Sequence, residues 1–234
     1  MPPAKSPPIP NRLLAALPKK DYQVVQRHLE EVPLVFEEIL YRPDELISDV
    51  YFPNSGIISL LAGLKERATL EVGLIGNEGM VGLGAFLGVT SSMNRAVVQG
   101  GGSAMKMKAN ALRKVSNSGG AFQRLLQRYS HSVLMQITQS AVCNQFHSVD
   151  ARLARWLLMT HDRMGDDEFR LTQEFLSHML GVRREGVSVA AGDLQKRKLI
   201  RYSRGLLKVL DRAGLLEISC GCYEIIRDES RNGT

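Results

Sequence analysis

Four polar residues with hydrogen-bonding side chains follow a glycine in the C-terminal third of the chain. They are Arg183, Arg184, Glu185 and Ser188, a few residues beyond Gly181. Guanidinium, carboxylate and hydroxyl groups together can donate to and accept from base edges in a DNA major groove. The apolar residues of the same segment fall on the opposite side of a helix, so these four are predicted to project outward. The pattern therefore predicts a surface suited to contacting base pairs.

The excess positive charge of the chain lies in the same region. The 234 residues include 30 Lys and Arg against 24 Asp and Glu, a net charge of +6. Between Arg183 and Arg212, nine basic residues stand against three acidic ones, and the rest of the chain is balanced. Clustered positive charge attracts a phosphate backbone. An ordinary solvated surface is the alternative, which the agreement of helix pattern, turn and charge disfavours.

Two helices are needed to position these side chains. Thr172 is predicted to cap the first helix, and Gly181 to end it, because glycine tolerates a left-handed turn. The second helix is expected to begin at about Val182 or Arg183. This pattern is typical of a helix-turn-helix. The second helix has an apolar face that consists of Val187, Ala190, Ala191 and Leu194.

Short apolar segments after this unit predict a basic wing. Leu199–Ile200, Leu206–Leu210 and Tyr223–Ile226 are expected to be strands, and Ser203-Arg204-Gly205 to be a hairpin tip. Arg204 would then project from the tip. The C-terminal part is therefore predicted to be a winged helix-turn-helix.

The N-terminal half has the pattern of a small β roll. After short helices in Asn11–Val32, short strands separated by Gly and Pro turns run from about Leu34 to Met107, which favours a sandwich, barrel or jelly roll. Ile57–Leu61 and Glu71–Ile75 are the clearest strands. The fold class is therefore α+β. We predict a β-roll sensor domain over 1–118, a long helix and hinge over 119–163, and the winged domain over 164–234.

The central helical segment, Ala121–Arg163, is predicted to be interrupted near Asn144–Val149 and to mediate dimerisation. Leu126, Val133 and Ile137 recur at roughly heptad spacing, and the face also includes Ser130, Ser140 and Asn144. A dimer interface with some polar positions fits this face. It would place two copies of the second helix about 34 Å apart, which is one turn of DNA. The alternative is a helix packed on its own domain.

Three cysteines, Cys143, Cys220 and Cys222, are spread along the chain, and this low, odd number indicates a reducing compartment. The Cys-x-Cys pair allows metal or thiol sensing, but two inert cysteines at a strand edge are favoured, and no metal site is assigned. An iron–sulfur cluster is not expected, because it would need about four cysteine ligands.

Met1–Pro10 has no apolar segment typical of a secretion signal, and no apolar run is long enough to span a membrane. The predicted location is cytoplasmic.

Three segments resemble the Crp/Fnr family of bacterial transcription regulators, and the resemblance extends over essentially the whole chain. They are Glu71–Gly82 (EVGLIGNEGMVG), Asp150–Leu157 (DARLARWL) and Gly181–Glu185 (GVRRE). The resemblance implies a cyclic-nucleotide-binding-like roll, a dimerising central helix and a winged helix-turn-helix. The implied partners are double-stranded DNA, a second copy of the chain and RNA polymerase.

The resemblance also implies roles for individual residues. Arg184 matches a family arginine that contacts guanine, and Glu185 matches a glutamate that contacts cytosine. Both roles suit the chemistry of the two groups. Arg183 and Ser188 are within reach of the same base pairs, and Thr172 and Gln173 suit a phosphate contact. Where the cyclic-AMP receptor has a further base-contacting arginine, this chain has Val189.

The resemblance is weaker at the positions that bind a cyclic nucleotide in the family. Arg95 can be placed on the arginine that binds the cyclic phosphate, and Thr138 lies near a base contact on the long helix. The position of the ribose-binding glutamate is occupied by Leu83, which cannot accept hydrogen bonds from a diol. Binding of a cyclic nucleotide in the usual manner is therefore not expected, and the cofactor stays unknown, with haem left open.

Two other classes of function compete with regulation through DNA. One is a small-molecule sensor that acts through protein partners and uses its basic end for that purpose. The other is an enzyme, which the sequence disfavours because it shows no Ser-His-Asp order, no His-x-x-x-His pattern and no phosphate-binding Gly-Lys-Ser/Thr loop.

Overall fold

The computed structural model describes residues 9–64, 68–117 and 119–232, so most of the Met1–Pro10 segment lies outside the described residues. Two short helices open this part of the chain, α1 (Arg12–Ala15) and α2 (Lys19–Gln26). Seven strands follow: β1 (Glu30–Leu34), β2 (Ile39–Tyr41), β3 (Asp49–Pro53), β4 (Ile57–Leu64), β5 (Ala68–Ile75), β6 (Arg95–Gly100) and β7 (Gly102–Lys108). A single 3-10 turn, Leu83–Ala85, lies between β5 and β6.

Helices dominate the rest of the chain. They begin with α3 (Ala109–Ser116), α4 (Ala121–Phe146) and α5 (Val149–Met164). The winged part contains β8 (Glu168–Arg170), α6 (Gln173–Leu180), α7 (Arg184–Lys196), β9 (Ile200–Ser203) and β10 (Leu206–Val209), and the chain closes with α8 (Arg212–Ile218) and α9 (Cys222–Asn232).

The N-terminal strands form two facing antiparallel sheets, in the orders β1-β7-β3 and β2-β6-β4-β5. Their inner faces bury alternate residues in one core, among them Phe52, Ile58, Val98 and Met107. Register shifts in β4 against both of its neighbours allow this sheet to curve. The predicted α+β class with an N-terminal roll is therefore confirmed, although residues 30–32 belong to β1 and not to a helix.

The four-stranded sheet is also covered on its outer face. Ile57, Leu61, Leu74 and Val97 point away from the roll and join a second core with α5 and the winged part. Trp156 on α5 is fully buried there. A single apolar core therefore links the roll to the C-terminal part of the chain.

The central helix is broken where the sequence indicated. α4 ends at Phe146, His147 is extended, and the Ser148 side chain accepts a hydrogen bond from the Ala151 backbone N–H at the start of α5. The predicted dimerisation face does not lie at the surface, however. Leu126 is fully buried in the roll core and Val133 packs against that core, because α4 lies along the roll.

The segment Tyr223–Ile226 is helical, which corrects the predicted strand. Tyr223 and Ile226 are both buried, and they lie one turn apart on the inner face of α9, which packs against α4 and α5. In the described part of the chain, no helix is both long and apolar enough to cross a membrane.

Candidate nucleic-acid interface

The turn between α6 and α7 is fixed by one cap and one glycine. The Thr172 hydroxyl oxygen accepts a hydrogen bond from the Phe175 backbone N–H at 3.1 Å, as the sequence predicted for an N-cap. Gly181 ends α6 with φ at +61°, and a Cβ there would lie 2.8 Å from Leu70 Cδ1 on β5. Glycine is therefore required both by the left-handed conformation and by the close approach of the roll.

Helix α7 presents a polar face to solvent. Its apolar face is buried between α5 and α6, with each of the four predicted apolar residues no more than 2% exposed. The opposite side bears Arg183, Arg184, Glu185 and Ser188, all of them exposed. Their outward orientation agrees with the sequence prediction, and their contacts with DNA stay predictions.

A polar cleft lies where the two helices of the motif meet the wing. Its volume is about 350 Å³, and it opens to solvent beside the N-terminus of α7. The structure brings four of the seven residues predicted to contact DNA into this one cleft. Its lining consists of Thr172, Gln173, Arg184, Tyr202, Ser203, Arg204 and Gly205.

Hydrogen bonds hold the sides of the cleft together. The Ser188 Oγ lies 3.1 Å from Gln173 Oε1, which links α7 to the first turn of α6. The Tyr202 hydroxyl donates to the Leu171 carbonyl oxygen at 2.8 Å, which links the wing to the residue before the cap. Gln173 and Ser188 are therefore positioned by each other before any ligand binds.

The wing is a tight hairpin between β9 and β10. Arg204 and Gly205 both have positive φ, at 52° and 76°, as a two-residue type I′ turn requires. The predicted hairpin tip is therefore correct. Arg204 is exposed at its end, on the same side as the cleft.

Not all of the basic residues in this region are free to contact phosphate. Arg212 donates to Asp162 at 2.7 Å and to the Tyr223 hydroxyl at the same distance, so it joins α8 to α5 and α9. The hydrogen bond with Asp162 raises the pKa of Arg212. Lys196 is paired with Asp193 at 2.9 Å on the surface. Six exposed cations of this region form no ion pair with another described residue, namely Arg183, Arg184, Arg197, Lys198, Arg201 and Arg204.

The two residues suggested for an effector lie on different elements. Arg95 begins β6, half-buried and opposite Leu61, whereas Thr138 is exposed on α4, which contacts β5. Leu83 packs against the roll core. Between the roll and the middle of α4, side chains leave a cavity of only about 20 Å³, which is lined by Leu60, Gly73, Leu74, Ile75, Glu78, Tyr129, Ser132, Val133, Gln136, Ile226 and Ser230.

Buried polar contacts, which were not predicted from the sequence, connect the roll to α5. Glu78 accepts a hydrogen bond from Arg163 Nε at 2.7 Å, with both side chains about 10% exposed. Glu71 accepts from the Trp156 indole N–H at 2.9 Å. Burial raises the pKa of Glu71 to about 7, although hydrogen bonds from Ser59 and Trp156 oppose the shift. These contacts hold α5 against the roll.

Cys143 is distant in sequence from Cys220 and Cys222, but the three cysteines lie together in the structure. Cys143 Sγ lies 3.4 Å from Cys220 Sγ, and Cys222 Sγ lies 3.5 Å from His147 Nδ1. Cys222 is the first residue of α9 and Cys220 lies two residues before it, so the two cysteines are not at a strand edge as predicted. The hydrogen bond from Cys220 lowers the pKa of Cys143. The signal in the sequence was Cys143-x-x-x-His147, which places two ligand types one helical turn apart.

Comparisons with known proteins agree with this architecture. Residues 151–218 match the Crp-like helix-turn-helix domain. Among solved structures, FixK2 from Bradyrhizobium japonicum has a TM-score of 0.70 at 18% identity, covering 82% of this chain and 98% of that one. A Crp/Fnr regulator from Eubacterium rectale has a TM-score of 0.69 at 16% identity, covering 88% and 96%. CLP from Xanthomonas campestris, a c-di-GMP responsive global regulator, has a TM-score of 0.66 at 17% identity, covering 82% and 99%. No curated protein matches the chain.

The C-terminal part of the chain is therefore a winged helix-turn-helix of the Crp-like kind, and α7 carries its exposed polar face. Residues 151–218 match the Crp-like helix-turn-helix model, and the aligned 82–88% of the chain has the fold of solved Crp/Fnr regulators. The predicted resemblance is therefore confirmed.

Proposed function

We propose that the chain is a homodimeric regulator that recognises a specific operator through α7. The observation that supports this proposal best is the cleft in which Arg184, Gln173 and Arg204 meet beside the exposed face of α7. Arg184 has the fork of donors that matches guanine O6 and N7, and Glu185 can accept from cytosine N4. Val189 is 64% exposed on the same helix and suits a thymine methyl group.

Other residues of this region suit contacts with the DNA backbone. Thr172 and Gln173 stand at the N-terminus of α6, where free backbone amides favour a phosphate. Arg204 at the tip of the wing can reach a phosphate on the next turn of the backbone. These contacts fix the register of the protein on the duplex and do not depend on the base sequence.

The dimer interface that we propose is the exposed side of α4. Leu134 is 60% exposed and Val142 is 40% exposed, with Ala141 exposed and Ile137 half-buried beside them. This apolar face remains after the roll and α9 have covered the other sides of the helix. A second copy of α4 would bury it.

Control by a cyclic nucleotide in the roll is not part of this proposal. A ligand of that size needs a pocket of about 300 Å³ or more, and the cavity between β5 and the middle of α4 is about 20 Å³. A larger cleft of about 550 Å³ beside Leu70 extends towards α6 and is lined by neither Arg95 nor Thr138. We therefore expect operator binding without a nucleotide, by a protein that acts in the cytoplasm on RNA polymerase at its promoters. The division into sensor, helix and winged domains belongs to the same proposal.

The test is selection of bound duplexes from a random pool, followed by footprinting and titration at several salt concentrations. We expect an operator with two half-sites about 10 base pairs apart and affinity that falls steeply with salt. Arg184→Ala should relax selection at one base pair per half-site, at a cost of about 1–3 kcal/mol. Arg204→Ala should weaken all sequences alike and reduce the salt slope by about 1.

Lys20→Ala is the matched control, because it removes an exposed charge from α2 in the roll. It should leave both operator selection and salt slope unchanged. Absence of sequence enrichment with the wild-type protein, or binding that does not respond to salt, would contradict the proposal.

The dimer is tested by Leu134→Glu with sedimentation equilibrium. We expect a monomer that remains folded by circular dichroism and loses high-affinity operator binding. Leu87→Glu is the control, because Leu87 is also 60% exposed but lies in the roll. Equal dimerisation by both variants would exclude this face of α4 as the interface.

A further inference from the structure

The four side chains at the junction of α4 and α9 have the arrangement of metal ligands. Their ligand atoms, the sulfurs of Cys143, Cys220 and Cys222 and a ring nitrogen of His147, all lie within 4.8 Å of one another. A tetrahedral ion with metal–sulfur bonds of 2.3 Å and metal–nitrogen bonds of 2.0–2.1 Å holds its ligands about 3.5–3.8 Å apart. The separations of 3.4 Å and 3.5 Å within the cluster are close to that geometry.

The types of ligand restrict the ion. Three thiolates and one imidazole form a set that binds Zn²⁺ in structural sites, whereas Mg²⁺ and Ca²⁺ require oxygen ligands. We propose that Cys143, His147, Cys220 and Cys222 form a site for one thiophilic divalent metal ion of the Zn²⁺ class.

The surroundings of the cluster support a bound thiolate–metal centre. The Gln139 side-chain N–H donates to Cys222 Sγ at 3.1 Å, and an outer donor of this kind orients and stabilises a sulfur ligand. All three cysteines are buried, while His147 is half-buried, so one ligand remains open to an entering ion.

The charged side chains next to the cluster are positive, as a negatively charged metal centre requires. Three thiolates and a divalent ion have a net charge of −1. Arg152 and Arg155 on α5 are both 6% exposed, and their Nε atoms are buried without a hydrogen-bond partner among the described residues. Both guanidinium groups interact electrostatically with Cys143, so they compensate the negative charge of the centre.

The position of the site gives the ion a mechanical role. Cys143 and His147 stand at the end of α4, immediately before the break that leads into α5. Cys222 is the first residue of α9, and Cys220 lies two residues before it. An ion held by all four would fix α9 across that break. Since α9 also contacts α5, as when Tyr223 donates to Asp162 at 2.6 Å, the ion would stabilise the angle between α4 and the winged part.

The test uses Co²⁺ as a spectroscopic probe and Zn²⁺ as its competitor, on the full chain purified with a reductant and a chelator. We expect one Co²⁺ per chain, with the intense visible bands of tetrahedral coordination and a thiolate charge-transfer band, and bleaching of both when Zn²⁺ is added. Zn²⁺ at a hundredfold excess over its Kd should raise Tm by about 5–10 °C.

Variants distinguish metal binding at the four proposed ligands from adventitious metal binding elsewhere. His147→Ala and Cys222→Ser should lose the tetrahedral spectrum and the Tm shift, and Gln139→Ala should bind about 10–100-fold more weakly. His131→Ala is the matched control, because His131 also lies on α4 and contacts α9 through Glu229 at 3.1 Å, outside the cluster. It should bind Co²⁺ like the wild type.

Three results would overturn the proposal. The first is a wild-type protein that binds no Co²⁺ at micromolar concentration or gives an octahedral spectrum. The second is retention of wild-type affinity by both ligand variants. The third is a Cys143–Cys220 disulfide in the reduced preparation, which would show that the sulfurs prefer each other to a metal. None of these measurements uses DNA, so their outcome is independent of the proposed function.

Discussion

Replacing Glu71 with Gln should change how the stability of the protein depends on pH. The Ser59 hydroxyl has one proton and faces two acceptors, Glu71 Oε2 at 2.7 Å and Gln99 Oε1. When Glu71 is protonated, it donates to Ser59, and Ser59 donates to Gln99, so every group is satisfied. The ionised carboxylate leaves one acceptor without a donor, and its burial accounts for the raised pKa.

The magnitude follows from the difference between the folded and unfolded pKa. The folded value is about 7 and the ordinary value is 4.5, which corresponds to about 3 kcal/mol. Because the folded pKa is the higher one, this stabilisation is fully present below pH 4.5 and is lost as pH rises through 7. A glutamine at position 71 donates to Ser59 and accepts from Trp156 at any pH, so it resembles the protonated acid.

The assay is urea unfolding between pH 5 and pH 8.5, followed by the fluorescence of Trp156, the single tryptophan of the chain. We expect Glu71→Gln to gain stability relative to wild type as pH rises, by up to about 3 kcal/mol at pH 8.5. Glu174→Gln, at an exposed position on α6, should show no such gain. Parallel stability profiles for wild type and Glu71→Gln would refute the reasoning.

Two further predictions concern the contact between the roll and the C-terminal part. Arg163→Met should destabilise the protein by about 3–5 kcal/mol in urea unfolding, because it leaves Glu78 as an uncompensated buried charge, and adding Glu78→Gln should restore much of the loss. Gly181→Ala should cost about 1–2 kcal/mol for its positive φ, and more for the contact with Leu70. Leu70→Ala in the same chain should recover the steric part, so strictly additive effects would contradict the role given to that contact.

Local signals in the sequence were sufficient to predict the helix-turn-helix. The cap at Thr172, the glycine at position 181 and the apolar spacing of α7 each depend on residues within one or two turns, and all three elements formed as predicted. The outward orientation of Arg184 and Ser188 follows from the same periodicity.

Features that depend on tertiary packing were not predictable in this way. The aromatic and β-branched residues of Tyr223–Ile226 suit a strand, and only the contacts of this segment with α4 and α5 favour α9. The face of α4 that contains Leu126 and Val133 was interpreted as a dimer interface because its spacing does not show that the roll covers it. The cysteine cluster joins residues 77 positions apart, so it required knowledge of where α9 packs.

The doubly covered sheet has a consequence for exchanging parts between regulators. Ile57, Leu61, Leu74 and Val97 belong to the roll in sequence but complete the apolar core beneath the winged part. A chimera that joins residues 164–232 to the sensor domain of another protein would lack these four side chains, and its core would be incomplete. The helix-turn-helix region of this chain therefore does not form a complete core by itself, and a stable chimera would have to include the outer face of the four-stranded sheet.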